Sequence, residues 1–159
     1  MAQIDERTKV AELIKGIRIA MLTTTANDGS LVSHPMTTRD VEFDGTVWFV
    51  SKRNFAQVRN IEARPQVNVA FVTDSTWVSL SGAASVVDDV ATLTELWSAF
   101  TDSWLEGGPD NPDNILIRVE AQSAQYWDTP GTKITQVANL VKTKITGDRI
   151  EGDSGTVQM

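Results

Sequence analysis

Two Asp-Gly pairs constrain this chain more than any other feature in it. Asn27-Asp28-Gly29 separates two extended runs rich in branched residues, Ile17 to Thr25 and Leu31 to Arg39. Asp44-Gly45 separates Val41 and Phe43 from Thr46 to Ser51. Asp-Gly tolerates the positive φ that a tight reversal needs, so each pair reads as a hairpin turn. The expected start is therefore three sequential strands in an antiparallel meander. Gln66 to Thr73 and Thr76 to Val87 read as two more strands around Asp74 and Ser75, and Ile115 to Tyr126 as the sixth. Trp127, Asp128, Thr129, Pro130 and Gly131 then end the pattern, because Asp and Gly favour a turn and Pro cannot continue a strand.

Helical spacing appears between the strands. Val10, Leu13, Ile14 and Ile17 form an opening stripe, with Asp5, Glu6, Lys9, Glu12 and Lys15 on the other faces and a stop at Gly16. Asn54 is a candidate cap for a short helix with Phe55, Val58 and Ile61 on one face, ended before Pro65. Asp88 and Asp89 are placed to cap the next, whose stripe Leu93, Leu96, Trp97 and Phe100 reads as core. Thr132 to Lys144 is weakly helical, with Ile134, Val137, Ala138 and Val141 on one side. Six strands, nearly all antiparallel, with short helices predict a mainly β protein: a small barrel with helices over its open ends. A β-sandwich is the rival architecture. Residues 1–147 read as one domain, and 148–159 as a polar tail with the composition of a disordered segment.

The chemistry open to such a chain is narrowed by composition. The net charge of −7, from 21 acidic and 14 basic side chains, repels nucleic acid at long range. Lys52, Arg53, Arg59 and Arg64 make only a weak patch, interrupted by Glu62, which reads as a solvated helix face. The absence of cysteine removes thiolate catalysis and zinc–thiolate sites, and fits a reducing cytoplasm. No apolar run is long enough for a bilayer, and the charged opening segment has no signal-peptide core.

His34, the one histidine, lies mid-strand beside Pro35. A strand proline argues for an edge or a bulge, so His34 reads either as an ordinary polar strand residue or as a side chain facing a cleft. Without a second histidine or any cysteine, a metal site is not expected. No strand–turn–helix element presents a serine nucleophile, so no catalytic residue is nominated. Ser51, Lys52 and Arg53 end a strand just before a helix start, where free backbone N–H groups, a hydroxyl and cations make a natural phosphate seat. A solvated strand end is the competing reading. Trp104 stands next to Gly107-Gly108-Pro109, where a large ring needs a planar ligand or another subunit to cover it.

Taken in order, these pieces resemble the general stress protein branch of the pyridoxamine 5′-phosphate oxidase-like superfamily, the FMN-binding split barrels. Met21 to Thr24, Asp28-Gly29 and Ser33-His34-Pro35-Met36 are similar to its opening hairpin, and Asp44 to Phe49 to its third strand. Val67-Asn68-Val69, Trp77 to Ala84, Leu96-Trp97, Trp104 with Gly107, and Tyr126-Trp127-Asp128 follow, covering roughly residues 5–150. The resemblance implies a homodimer with FMN in a groove between two barrels, and an oxidoreductase in which flavin does the redox chemistry. It implies a phosphate seat at His34, Ser51-Lys52-Arg53 and Gln57, a ring near Met36 and Val50, and Trp104 as a cover from the partner subunit. It leaves open a flavin-binding stress protein without turnover, and a barrel that has lost FMN or takes a deazaflavin. Arginine is common in that family where His34 stands, and lysine where Gln57 stands. Losing two charged hydrogen bonds to phosphate would cost on the order of 1.5–3 kcal/mol each.

Overall fold

The computed structural model describes residues 6–39, 41–129 and 153–159. Helix α1, Glu6–Ile14, buries Val10 and Ile14, which lie one turn apart on the same face. Strands β1, Ile19–Thr25, and β2, Leu31–Thr37, pair antiparallel from Ile19 opposite Thr37 to Thr25 opposite Leu31. In the turn between them, Asp28 Oδ1 accepts from the Ser30 hydroxyl at 2.6 Å and the Ser30 N–H at 2.9 Å, and Gly29 takes φ +84°. Those bonds, the hydroxyl's first, hold the Asp28 carboxyl below its ordinary pKa.

The remaining elements are β3, Thr46–Lys52; α2, Ala56–Ala63; β4, Gln66–Val72; β5, Thr76–Val87; α3, Val90–Leu96; α4, Ala99–Trp104; β6, Asn114–Asp128; and β7, Asp153–Gln158. Seven strands form one antiparallel sheet in the order β2-β1-β4-β5-β6-β3, with β7 also on β6. Strand β6 is 15 residues long. It pairs with β5 along almost its whole length, with β3 over its first half and with β7 over its second.

The mainly β, antiparallel architecture is the expected one, but its connections differ from the simple reading in two places. Val41 and Phe43 form no strand, and β3 does not pair with β2. β3 pairs instead with the first half of β6, Thr46 opposite Glu120 and Lys52 opposite Asn114. Ile115, Leu116, Ile117 and Val119 are all buried, so this half of β6 needs cover on both faces and a neighbour on both edges. β2 carries Pro35 and lies at the edge of the sheet, as a strand proline requires. The sheet is thus open between β2 and β3. The second difference is the C-terminal end: 153–158, expected as part of a polar tail, form β7, and Val157 is buried in the core. The weakly helical stretch 132–144 lies outside the described residues.

One apolar cluster fills the curved face of the sheet, with Leu22, Phe49, Val69, Leu80 and Ile117 at its centre. The two long helical stripes close its ends. Lys9 of α1 reaches Asp128 at the finish of β6, at 3.4 Å, and α1 adds Val10 and Ile14 to the cluster. Asn60 of α2 donates to Thr24 at the finish of β1, at 3.0 Å, and α2 adds Val58 and Ile61. β1 and β6 run in opposite directions, with β4 and β5 between them, so β6 finishes at the end of the sheet where β1 starts, and there Ile17 and Arg18 share a cleft with Ile14 of α1. α3 and α4 do not continue as one helix. Asp89 caps α3 as expected, accepting from Ala91 and Thr92 N–H, but the backbone turns extended at Trp97 and Ser98, and Ser98 caps α4. Phase is lost at that break, and Phe100, expected in the core, is 51% exposed.

Gly82 marks the one irregularity in β5. The register slips between Ser81, opposite Ser123, and Gly82, opposite Ala121. A Cβ at Gly82 would stand 2.2 Å from the Glu120 carbonyl oxygen, a backbone atom that cannot swing away. Gly82→Ala is expected to lower stability by about 1–3 kcal/mol through this overlap, read as a fall in the urea midpoint. An unchanged midpoint would show that the β5–β6 bulge relaxes at no cost.

Candidate functional site

The sequence-nominated residues gather around the open side of the sheet and the passage from β3 into α2. On β2, His34 stands opposite Leu22 and shares its face with Met36, which is buried. His34 is half-buried, yet its Nε2 is fully buried and meets no hydrogen-bond partner. A buried ring nitrogen left unpaired is costly, and such an atom marks a place where a partner is missing.

Gln57 reaches the same place from α2. Its side chain is only 6% exposed, and its Nε2 donates to the Met36 sulfur at 3.9 Å. A thioether is a weak acceptor, so a buried amide with four hydrogen-bonding positions remains little used there. The structure therefore brings Met36 and Gln57 together, with His34 two residues along the same strand face.

At the end of β3, Ser51 points inward and is buried, and its hydroxyl donates to the Lys52 carbonyl at 3.3 Å. Val50 and Lys52, its neighbours, lie on the other face and are half-buried, Val50 opposite Leu116 and Lys52 opposite Asn114. The expected cap at Asn54 is not formed. Phe55 occupies the N-cap of α2 in extended conformation with no side-chain cap, and the Asn54 carbonyl instead accepts from Arg59 at 3.0 Å. Apolar Phe55 has no oxygen to offer, so no side chain caps the first-turn N–H groups of α2. An uncapped helix start beside Ser51 and Lys52 suits an anion.

Arg53 belongs to a different arrangement. Its guanidinium is paired with Asp88, Nη1 to Oδ2 at 3.1 Å and Nη2 to Oδ1, and also donates to the Pro112 carbonyl from Nε at 3.3 Å and Nη2 at 2.9 Å. The Asp88 bond raises its pKa above the ordinary value. Arg53 thus staples the β5–α3 junction and the loop before β6 to the end of β3, and its fork is occupied. Nothing local in the sequence announces this pair, whose members are 35 positions apart.

Trp104 is 72% exposed and tilts against Phe100, ring centroids 6.1 Å apart. These two rings form an outward aromatic edge on α4. The second exposed apolar region lies on the convex side of the sheet. There Trp77 of β5 stands directly opposite Trp127 of β6 and beside Val72 of β4, all exposed. The strict alternation of β5, with Thr76 and Val78 buried, puts Trp77 outside. Arg39 was also not singled out. It donates to the Leu96 carbonyl, the Thr101 hydroxyl and the Thr37 carbonyl, joining the end of β2 to α3 and α4.

Two surface clefts are present. One of about 790 Å³ lies between the β1–β2 turn and α2, and one of about 410 Å³ between α1 and the segment leading into β3. None of the nominated residues lines either. Met36 and Gln57 meet outside both clefts. Among the described residues, no group of three or more His, Asp or Glu side chains is placed to hold a metal ion, and no helix is long and apolar enough to cross a membrane.

Comparison with known proteins gives this arrangement a context. A curated relative, protein bli-3 of Neurospora crassa, is 25% identical over 142 residues, covering 82% of this chain and 68% of its own. Among solved structures, general stress protein 26 from Jannaschia sp. CCS1 superposes with a TM-score of 0.79 at 23% identity, covering 93% of this chain and 94% of its own. The general stress FMN/FAD binding protein of Xanthomonas citri superposes at 0.67 with 28% identity, covering 79% of this chain and 90% of its own. The open antiparallel sheet with short helices is therefore that of the split barrels. The sequence profile described as "Pyridoxamine 5′-phosphate oxidase like" matches residues 5–151, and the chain belongs to that family.

Proposed function

We propose that this protein binds FMN in a groove completed by a second copy of the chain, and acts as a flavin-dependent oxidoreductase of the general stress type. The observation that carries the reading is the unpaired, buried Nε2 of His34, set on one strand face with Met36, which the underused Gln57 amide touches. The residues present suit the phosphate end of FMN: His34 and Gln57 as donors, the Ser51 hydroxyl, the uncapped start of α2, and Lys52 as the cation. Met36 and Val50 would flank the ring. Trp104, exposed on α4, would cover it in the other copy's groove.

The exposed row Val72, Trp77 and Trp127 supports association, because contiguous apolar residues on a sheet face mark an interaction surface. The absence of cysteine from the whole chain fits a cytoplasmic setting. Bound flavin supplies the electron transfer. The protein's own residues hold the anionic tail, orient the ring, and exclude water from one side of it. Of the nominated residues only His34 belongs to a type that serves as general acid and base near neutrality. A flavin-binding stress protein without turnover is the runner-up.

The purified protein is expected to take up added FMN, with the absorbance bands of bound flavin and a dimer on sizing. A monomer that takes up no flavin would overturn the reading, and uptake of a deazaflavin in place of FMN would replace the cofactor. Turnover of reduced nicotinamide by the loaded protein decides between oxidoreductase and carrier. Gln57→Lys should tighten FMN about tenfold by adding one charged hydrogen bond, while leaving riboflavin, which lacks the phosphate, unaffected. Titration of both flavins checks this, and equal gains for both would move the phosphate elsewhere. Arg53→Met should leave the ratio of FMN to riboflavin affinity unchanged, because that guanidinium is already held by Asp88 and Pro112. A loss confined to FMN would return Arg53 to the seat.

A further inference from the structure

The open side of the sheet has to be held by something other than strand pairing. β2 and β3 are not hydrogen-bonded neighbours, yet they are the strands that would flank the flavin ring. On the β3 side, α3 and α4 are tied down at both ends. Before α3, Asp88 is paired with Arg53, which follows β3 directly. After α4, the carbonyls of Glu106 and Gly108 accept from Asn114 at 3.0 and 2.9 Å, and Asn114 stands opposite Lys52 of β3. The α3–α4 block therefore moves with β3 and β6.

Arg39 joins that block to β2. Its Nη1 donates to the Thr101 hydroxyl at 2.6 Å and the Leu96 carbonyl at 3.2 Å, and its Nη2 donates to the Thr37 carbonyl at 3.2 Å. Thr37 is the last residue of β2, one position from Met36. Leu96 ends α3 and Thr101 lies in α4, so one guanidinium grips both sides of the helix break. The Leu96 carbonyl is a helix-end acceptor, and α3 has no basic residue in its own last turn, so Arg39 supplies the cation that this end favours. Three acceptors in different directions suit a planar fork and not a single ammonium.

We infer that Arg39 is a positioning residue, which holds the unpaired β2 edge at a fixed place relative to β3 and thereby sets the groove for the flavin ring. The inference rests on the proposed flavin site but concerns its ring end, whereas His34, Gln57 and Lys52 concern its phosphate end. Affinity for FMN and for riboflavin should accordingly fall together when Arg39 is lost, since both carry the same ring.

The test uses the full-length chain with Arg39→Met, Arg39→Lys and Thr101→Val. Thr101→Val approaches the contact from the α4 side and keeps the arginine. In the flavin-free proteins, hydrogen exchange should quicken at Thr101 to Leu105 and at the end of β2 for Arg39→Met and Thr101→Val, with β4 and β5 unchanged. In flavin titrations, Arg39→Met should weaken FMN and riboflavin alike by about tenfold, the ratio expected for one charged hydrogen bond, with a smaller loss for Arg39→Lys. The absorbance bands of any bound flavin should broaden as the ring loosens. Loss of FMN binding alone would make Arg39 a phosphate contact and overturn the inference. So would unchanged exchange, or quickened exchange with unchanged affinity for both flavins. A wild-type protein that binds neither flavin would instead remove the proposed function, and the exchange experiment would still show whether Arg39 holds β2 to α3 and α4.

Discussion

The pairing of β5 with β6 is the constraint on which the rest of the structure depends. Twelve-residue β5 and 15-residue β6 run together from Thr76 opposite Asp128 to Val87 opposite Leu116. Strands of that length in a sheet twist strongly, and a slip in register is one way to bend them. The slip at Gly82 divides β6 into two halves with different neighbours, β3 before it and β7 after it. Because β6 serves both, the sheet curls without β2 and β3 ever meeting in a ladder. The gap that remains is where the candidate residues gather.

Much of the frame was legible because it is local. β5 has the bounds that its alternation and its flanking turn and Asp pair predict, and α2 stops before Pro65. Pro35 marked β2 as an edge strand, and Asp89 marked the start of α3. What misled was long-range. An Asp-Gly turn before Thr46 reads as a hairpin, yet the partner of β3 lies more than sixty positions away, chosen by the burial that both strands need. The stripe from Leu93 to Phe100 reads as one helix, but Ser98 starts another and turns Phe100 outward. The last residues look polar, yet Val157 supplies enough apolar surface to seat a strand when β6 offers a free edge.

The site divides in the same way. That Ser51 and Lys52 end a strand before a helix could be read from composition and order. That Gln57 turns inward to Met36, that His34 keeps a buried nitrogen without a partner, and that Arg53 is spent on Asp88 could not, since each depends on an element distant in sequence. The resemblance to the family named the neighbourhood in which the proposed seat lies. The structure brings two of its members, Met36 and Gln57, together and pairs a third, Arg53, with Asp88.

Trp77 and Trp127 face each other across β5 and β6 on the open surface, whereas Trp48 lies on β3 and Trp97 bonds Asp102 through its indole nitrogen at 3.2 Å. Indole emission shifts to the blue when water leaves its surroundings. A chain built this way carries its own optical gauge of whether the surfaces bearing Trp77, Trp127 and Trp104 are wet or covered, and dilution of the native protein would register the answer without any label.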